Sequence, residues 1–190
     1  VAVVGTRRAT GEGKRLSEQF AEALGRLGVT ITSGLAFGID AAAHRGALNI
    51  PAATIAVLPA GLNRIYPPQH TQLAQHILAH DGALISEYPL DSPSFPWRFL
   101  ERNRIVSGLS KGVLIIEAPA DSGALVTARL AVEQNRDVFV IPGPITNQNY
   151  VGSHRLIQQG AALVTAPEDI AIQYAILLAA SPTASAHNAP

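Results

Sequence analysis

Arginines and aromatic side chains alternate in one short segment, residues 94–104, and such a pattern is typical of contacts to unpaired nucleic acid. The segment contains the only tryptophan of the chain, Trp97, with Phe95 and Phe99 on either side of it. Aromatic rings can stack on unpaired bases while guanidinium groups bind the phosphates. Alternatively, the three rings could be core anchors and the arginines a solvent-exposed face. The candidate contacts in this segment are Trp97, Arg98, Phe99, Arg102, Asn103 and Arg104.

The basic residues are concentrated in two patches of a neutral chain. The 190 residues include 14 basic and 14 acidic side chains, and 12 of the basic ones are arginine, which suits bidentate contacts to phosphate. Residues 7–15 hold four cations, among them Arg7 and Arg8, against one carboxylate, and residues 98–111 have the same balance. Zero net charge argues against a histone-like binder, whose affinity needs a large excess of cations. The two patches indicate a confined binding pocket instead.

The composition excludes several other classes of protein. The chain has no cysteine, which excludes a disulfide framework, a thiolate metal site and a cysteine nucleophile, and favours a cytoplasmic protein. Its 47% of hydrophobic residues is enough for a folded core. Each apolar run is interrupted well before the roughly 20 residues that cross a bilayer, so we expect no membrane partner.

Short aliphatic runs alternate with amphipathic stretches along the chain, which predicts βαβ units. The predicted strands are residues 1–4, 29–32, 54–58, 83–85, 113–116, 138–141 and 162–164. The predicted helices are residues 12–27, 39–48, 69–79, 99–109, 124–135 and 153–159. The fold class is therefore α/β, with a mostly parallel sheet flanked by helices on both faces.

Polar, glycine-containing turns follow several of the predicted strands. In an open parallel sheet, ligands bind outside the carboxyl ends of the strands, so these turns are expected to open onto one crevice. Glycine allows the backbone to approach a ligand, and helix N-termini offer N–H donors to phosphates. Glycine also simply ends strands in many α/β proteins. The turn residues of interest are Gly5, Thr6, Arg7 and Arg8, then Ser33, Gly34 and Gly38, and finally Ser122 and Gly123.

Motifs for other chemistry are absent or weak. The chain lacks the glycine-rich dinucleotide fingerprint, the P-loop and the nucleophile elbow. Asp40 and His44 have a spacing that could place both on a metal, but a helix N-terminal aspartate and a partly buried histidine are preferred. Glu87 and Glu117 both follow strands and could form an acid–base pair, or they could hold arginines and loop amides. We therefore assign no catalytic residue, no metal site and no cofactor.

Several of these stretches together resemble the DNA-processing protein A (DprA/Smf) family over roughly residues 1–170. The matching pieces include Gly-Thr-Arg at 5–7, Ser-Gly-Leu-Ala-Phe-Gly-Ile-Asp at 33–40, Arg-Asn-Arg-Ile-Val-Ser-Gly-Leu-Ser at 102–110, Ser-Gly-Ala-Leu-Val-Thr-Ala at 122–128 and Pro-Gly at 142–143. The resemblance implies a three-layer extended Rossmann-like fold. It also implies a homodimeric, non-catalytic protein that binds and protects single-stranded DNA. It also implies that the protein helps load the RecA recombinase for DNA recombination during natural transformation.

The resemblance also implies roles for particular residues and a domain plan. Arg7 and the basic segment 94–104 match DNA-contacting positions, and the Ser-Gly turns at 33–34 and 122–123 look like phosphate seats. Residues 1–172 are expected to form the Rossmann-like DNA-binding domain and residues 173–190 a linker or tail, with flanking domains absent from this chain. The alternatives are a lysine-decarboxylase-like phosphoribohydrolase, whose P-G-G-x-G-T-x-x-E motif is missing here, and a small-nucleotide sensor.

Overall fold

Seven parallel strands form a single sheet in the computed structural model, which describes residues 1–174. In chain order the strands are β1 (Ala2–Val4), β2 (Ile31–Ser33), β3 (Thr54–Val57), β4 (Ala83–Ile85), β5 (Gly112–Ile115), β6 (Asp137–Val140) and β7 (Ala162–Leu163). Their order across the sheet is β4-β3-β2-β1-β5-β6-β7, and every pairing is parallel. The sequence predicts all seven, and the α/β fold class is confirmed.

Helices cover both faces of this sheet. They are α1 (Gly11–Arg26), α2 (Ile39–Leu48), α3 (Thr71–Ala79), α4 (Pro96–Gly108), α5 (Gly123–Glu133), α6 (Val151–Gln158) and α7 (Pro167–Gln173), with 3-10 turns at Pro68–His70 and Gln148–Tyr150. On β5, Leu114 packs in one hydrophobic core with Phe20 of α1, whereas Val113 packs in another core with Val106 of α4. This alternation is what a pleated strand covered on both faces produces, and it confirms the three-layer architecture.

Local sequence sets the bounds of the first helix. Thr10 precedes α1, and its Oγ1 accepts a hydrogen bond from Gly13 N at 2.9 Å, which satisfies one of the free donors of the first turn. Phe20 and Leu24 form the buried stripe of the helix. Gly28, at a φ of +79°, follows the helix end in the left-handed conformation that glycine adopts without strain.

Two helices differ from the predictions. Helix α4 begins at Pro96, three residues before the predicted start, because proline suits the first turn of a helix, where its missing N–H costs nothing. Helix α7 was not predicted, since its seven residues are too few to establish a helical period. It also shortens the expected tail, because Tyr174 packs on Phe139 and donates to Asp137 Oδ2 at 2.7 Å. The rest of that tail, residues 175–190, lies outside the described residues.

The strand order reverses at the centre of the sheet. From β1, the strands β2, β3 and β4 extend to one side, and β5, β6 and β7 extend to the other. The loops after β1 and β5 therefore lead to opposite sides, which leaves a crevice at the carboxyl ends of these two strands. Within residues 1–174, no helix has both the length and the apolar character required to cross a bilayer.

Candidate nucleic-acid interface

A cleft of about 720 Å³ opens at the crevice between β1 and β5. The loops after these strands, helix α4 and the start of α5 contribute its walls. Nine of the fifteen expected DNA contacts line it, namely Gly5, Thr6, Arg7, Arg8, Phe99, Arg102, Asn103, Ser122 and Gly123. The six that lie outside its lining are Ser33, Gly34, Gly38, Trp97, Arg98 and Arg104.

The loop after β1 is held close to β5 and α2. A Cβ on Gly5 would lie 2.9 Å from the Glu117 carbonyl oxygen and 2.5 Å from a side chain of α2, so glycine is required for this close approach. Thr6 N donates to the same carbonyl at 2.7 Å, and Thr6 Oγ1 accepts from Arg8 N at 3.2 Å. The side chains of Arg7 and Arg8 are left exposed in the lining of the cleft.

Arg7 and Phe99 form a cation–π pair in the cleft. The guanidinium carbon lies 4.4 Å from the centroid of the ring. Tyr66 packs edge-on against the same ring, with 5.4 Å between the centroids. An arginine on an aromatic face keeps its N–H donors free for a phosphate. The part of the ring that the arginine leaves uncovered can contact an unpaired base. The pair thus combines the two chemistries that single-stranded nucleic acid requires.

The start of α5 supplies another wall. Ser122 caps this helix, and its Oγ accepts from Ala124 N at 3.2 Å. Asn103 Nδ2 donates to Gly123 O at 3.3 Å and so ties α4 to this wall. The N–H groups and dipole of a helix N-terminus favour an anion, whereas Asp121 adds a negative charge to the lining. The arginines of the β1 loop oppose that charge.

Arg102 is buried beneath the cleft, with 3% of its surface exposed. Its Nη1 donates to Val57 O at 2.5 Å, and the guanidinium fills the space that a side chain at Gly34 would need. Burial lowers the pKa of Arg102 to about 10, an effect that the charge of Asp40 opposes, so the group stays protonated at neutral pH. The expectation of an exposed DNA contact is corrected here, because Arg102 ties α4 to the ends of β2 and β3.

The polar groups of the turn after β2 form hydrogen bonds inside the protein. Ser33 is fully buried, and its Oγ donates to a carbonyl of β1 at 2.7 Å. Gly34 N donates to Asp40 Oδ2 at 3.1 Å. Both donors are already used inside the protein, which argues against the phosphate-binding role expected for this turn. Gly38, at a φ of +77°, packs against the arginine loop, residues 6–10. A Cβ at position 38 would lie 2.7 Å from Arg7 O.

An aromatic ledge lies outside the lining of the cleft and consists of Tyr88, Phe95, Trp97 and Arg98. Phe95 and Trp97 stack with their centroids 6.0 Å apart and their planes at 4°, and Trp97 is 51% exposed. The guanidinium carbon of Arg98 lies 4.1 Å from the Tyr88 centroid and 5.1 Å from that of Trp97. Phe95, Trp97 and Arg98 lie at the same helix start as Phe99, and Tyr88 joins them from the loop after β4, so the ledge continues the aromatic surface beyond the cleft.

The two strand-end glutamates do not meet. Strands β4 and β5 are four positions apart in the sheet, which is about 19 Å. Glu87 binds Arg104 Nη2 through both carboxylate oxygens, at 2.6 and 2.7 Å, in an exposed ion pair, so a DNA phosphate would compete with Glu87 for Arg104. Glu117 accepts from Thr10 N at 3.0 Å and from Asn149 Nδ2 at 3.1 Å. The idea of a catalytic carboxylate pair is therefore wrong.

Asp40 and His44 are both engaged inside the protein. His44 Nδ1 pairs with Thr54 Oγ1 at 2.8 Å, and burial lowers the pKa of this histidine to about 3. Burial raises the pKa of Asp40, although the charge of Arg102 opposes this. Among the described residues no group of three His, Cys, Asp or Glu side chains is placed to hold a metal ion. The preferred structural roles of both residues agree with these contacts.

Comparison with known proteins decides the family. A family model for DNA recombination-mediator protein A matches residues 1–175. The chain belongs to the DNA recombination-mediator protein A (DprA/Smf) family. Protein Smf of Escherichia coli (strain K12) is 55% identical to it over 170 residues, which are 90% of this chain and 46% of that relative. This DprA/Smf chain spans about half the length of the curated relatives it matches.

Two solved structures share the fold of this DprA/Smf chain. DprA from Streptococcus pneumoniae superposes with a TM-score of 0.83 at 39% identity, covering 90% of this chain and 60% of that one. DprA from Helicobacter pylori, whose structure concerns its single-stranded DNA binding mode, gives 0.82 at 33% identity, covering 92% and 79%. The family and the Rossmann-like fold expected from the resemblance are both confirmed.

Asn149 is a part of the DprA/Smf cleft that sequence reasoning missed. Its Nδ2 donates to Arg8 O at 3.3 Å and to Glu117 Oε2 at 3.1 Å, so it joins the arginine loop to β5. The rule that ligands bind beyond strand ends points to the long loop after β6. Nothing in the sequence of that loop distinguishes Asn149 from its neighbours, and the same holds for Asp121 in the loop after β5.

Proposed function

We propose that this DprA/Smf chain binds single-stranded DNA in the cleft between β1 and β5 and that it is not an enzyme. The observation that carries the proposal is the pair of Arg7 and Phe99, which stands beside the exposed Arg8 at the strand-end crevice. The Helicobacter pylori relative binds single-stranded DNA, which supports the choice of ligand. No covalent chemistry is needed for such binding.

In the proposed mode, phosphates of the strand contact Arg7, Arg8 and the start of α5. An unpaired base packs against Phe99, which is worth roughly 1 to 3 kcal/mol per stacked base. The strand then leaves across the aromatic ledge, where Trp97 and Arg98 offer further stacking surface. Duplex DNA keeps its bases inside the helix, so the proposal predicts a preference for single strands.

Replacing Arg7 by alanine tests the proposal. Arg7→Ala is expected to weaken the binding of labelled oligo-dT by roughly 1 to 3 kcal/mol, as for a lost charged hydrogen bond. The matched control is Arg26→Ala, which removes an exposed arginine from the last turn of α1, about 22.5 Å along that helix from its first residue. Fluorescence anisotropy measures both variants against single- and double-stranded oligonucleotides. Unchanged binding by Arg7→Ala means that the cleft is not the site.

A nucleotide-processing enzyme on this fold requires a free carboxylate beside the bound nucleotide. Glu117, the strand-end carboxylate next to the cleft, is fully buried and bonded to Thr10 and Asn149. The exposed carboxylate of the lining, Asp121, lies in a turn that lacks the P-G-G-x-G-T-x-x-E motif of the phosphoribohydrolases. We therefore expect no free base when the protein is incubated with nucleoside monophosphates and the mixture is analysed by chromatography. Release of base at a catalytic rate overturns the proposal. A small-nucleotide sensor, in contrast, gives saturable mononucleotide binding that oligonucleotides do not displace.

The family resemblance supports a wider proposal for the full-length protein. It acts in the cytoplasm as a homodimer, protects incoming single strands during natural transformation and helps load RecA. Light scattering tests the dimer, and nuclease digestion of oligo-dT with and without the protein tests protection. Digestion at an unchanged rate excludes the protective role, and RecA filament growth at an unchanged rate excludes loading. These experiments need the whole protein, because this chain spans about half the length of its relatives.

A further inference from the structure

Glu117 is a fully buried carboxylate just beyond β5 that the proposed binding mode does not use. Its Oε1 accepts from the Thr10 hydroxyl at 2.5 Å, and its Oε2 accepts from Thr10 N at 3.0 Å and from Asn149 Nδ2 at 3.1 Å. All three donors are neutral, and the ion pairs among the described residues do not include Glu117. Removing a carboxylate from water is costly, so these three bonds must be strongly favourable in the folded state.

The carboxylate completes the N-terminal cap of α1. In a capping box, the side chain of the third helical residue bonds the N–H of the capping residue. Here the capping residue is Thr10 and the third helical residue is Gly13, which has no side chain. Glu117 takes its place from another strand, since a Cβ on Gly13 would lie 2.5 Å from the Glu117 carboxyl carbon. The positive end of the helix dipole stabilises a negative charge at this position.

The same residue holds both ends of the arginine loop, residues 6–10. At the first end, Thr6 N donates to the Glu117 backbone oxygen at 2.7 Å. At the second end, Thr10 is bonded twice to the side chain. Asn149, which binds the carboxylate, also donates to Arg8 O in the middle of the loop at 3.3 Å. The position of the two exposed arginines therefore depends on one buried residue.

We propose that Glu117 is a positioning residue that occupies, with its own carboxylate, the place at the start of α1 where a bound phosphate would otherwise lie. By filling that place it fixes the arginine loop, so that DNA phosphates bind to Arg7 and Arg8 instead of to the helix end. This inference rests on the proposed function. It predicts that a small carboxylate from solution can replace the missing side chain once Glu117 is shortened.

The test compares Glu117→Ala with Glu117→Gln. Glutamine keeps one acceptor for Thr10 N and Asn149 and can donate to Thr10 Oγ1, so its affinity for oligo-dT is expected to stay within about 3-fold of the parent. Glu117→Ala is expected to bind at least about 10-fold more weakly. Sodium formate, compared with sodium chloride at equal ionic strength, is expected to recover part of that loss, because formate carries the same carboxylate.

Asp169→Ala is the matched control. The Asp169 carboxylate also caps a helix start, accepting from Thr165 N at 2.8 Å and Ala166 N at 3.0 Å, but it does so at α7, away from the cleft lining. This variant is expected to lose stability without losing affinity and without responding to formate. A purely structural role for Glu117 predicts the same behaviour for the two alanine variants.

The inference is overturned if folded Glu117→Ala binds oligo-dT as tightly as the parent. It is also overturned if Glu117→Gln loses as much affinity as Glu117→Ala and formate recovers none of the loss. If Glu117→Ala does not fold, Thr10→Val decides, because it removes the hydroxyl link while keeping the size of the side chain. An unchanged affinity of Thr10→Val then overturns the inference, and a loss of several-fold supports it.

Thermal unfolding needs no DNA: formate is expected to raise the Tm of Glu117→Ala and not that of the parent. If the parent fails to bind oligo-dT, the proposed function is wrong, but the effect of formate on the Tm of Glu117→Ala still tests the role of Glu117.

Discussion

Arginine side chains have three different environments around the cleft. Arg7 and Arg8 are exposed in its lining, Arg102 is buried beneath it, and Arg104 is paired with a carboxylate. A phosphate gains most from a cation whose donors are free, because a paired or buried guanidinium has already exchanged its water for other partners. Affinity for DNA is therefore expected to depend on Arg7 and Arg8, and the stability of the fold on Arg102.

The Phe99 ring can be tested apart from the charge of its neighbour. Phe99→Leu removes the aromatic face that packs under Arg7 and offers stacking, so oligo-dT binding is expected to weaken by roughly 1 to 3 kcal/mol. Phe95→Leu makes the same chemical change on the ledge, outside the cleft lining, and is expected to cost less. Anisotropy titrations compare the two. Equal losses would place the main stacking surface elsewhere.

His44 gives the folded protein a pH dependence in acid. Its pKa falls from 6.5 to about 3 on folding, so between these values only the unfolded chain binds a proton there. Stability contributed by neutral His44 is complete above pH 6.5 and falls as the pH drops, by about 2 kcal/mol between pH 7 and 5. Asp40, whose pKa is raised by burial, acts with the opposite sign.

The variant His44→Asn removes this titration and keeps a polar partner for Thr54. Urea unfolding at pH 7 and at pH 5 measures the difference. We expect the parent to lose more stability than the variant over this interval. An equal loss in both proteins would assign the acid sensitivity to other groups.

The cleft is a junction of several elements rather than a feature of one. The β1 loop rests on the start of α2, α4 is tied to β2 and β3 by Arg102, and α5 is tied to α4 by Asn103. Most of these contacts are backbone or buried hydrogen bonds, which fix geometry more firmly than surface ion pairs. The elements therefore hold the arginine loop in place before DNA arrives.

Alanine substitutions at two glycines with positive φ distinguish an effect on stability from an effect on DNA binding. Gly38→Ala and Gly160→Ala each force alanine into a left-handed conformation, at φ of +77° and +98°, which costs roughly 1 to 2 kcal/mol. A Cβ at position 38 also meets Arg7 O at 2.7 Å, whereas nothing lies within 4 Å at position 160. Both variants are expected to lower the Tm, but only Gly38→Ala is expected to weaken oligo-dT binding. Weaker binding by Gly160→Ala would contradict this.

The whole molecule is electrically neutral, and its exposed cations in the cleft are few. Long-range attraction to a polyanion is therefore small, and affinity must come from local contacts and stacking. Such a protein binds a strand at a defined place instead of coating it through charge.

The salt dependence of binding measures this directly. Each neutralised phosphate of a single strand contributes about −0.7 to the slope of log K against log salt concentration. With Arg7 and Arg8 as the phosphate contacts, the slope is expected to lie between about −1 and −2. Titrations of oligo-dT at several salt concentrations give the value. A slope near −5 would mean that many more cations take part than the cleft contains.

Local sequence patterns are sufficient to predict the fold class, most of the elements and nine of the cleft residues. Strands and helices follow from local periodicity, as in the run Val-Leu-Ile-Ile at 113–116, which predicts a strand buried on both faces. The cleft residues follow from topology, because the carboxyl ends of parallel strands meet at one edge. Helix α7 was missed because its pattern is too short to recognise.

The role of each polar side chain depends instead on its surroundings in the folded protein. Arg102 and Arg104 lie two positions apart in one motif, yet one is buried against a carbonyl and the other pairs with Glu87. Thr10 and Glu117 are bonded across 107 positions of the chain. The energy of a charge or a hydrogen bond depends on exposure and on partners that distant segments supply, and local sequence patterns do not encode either of these.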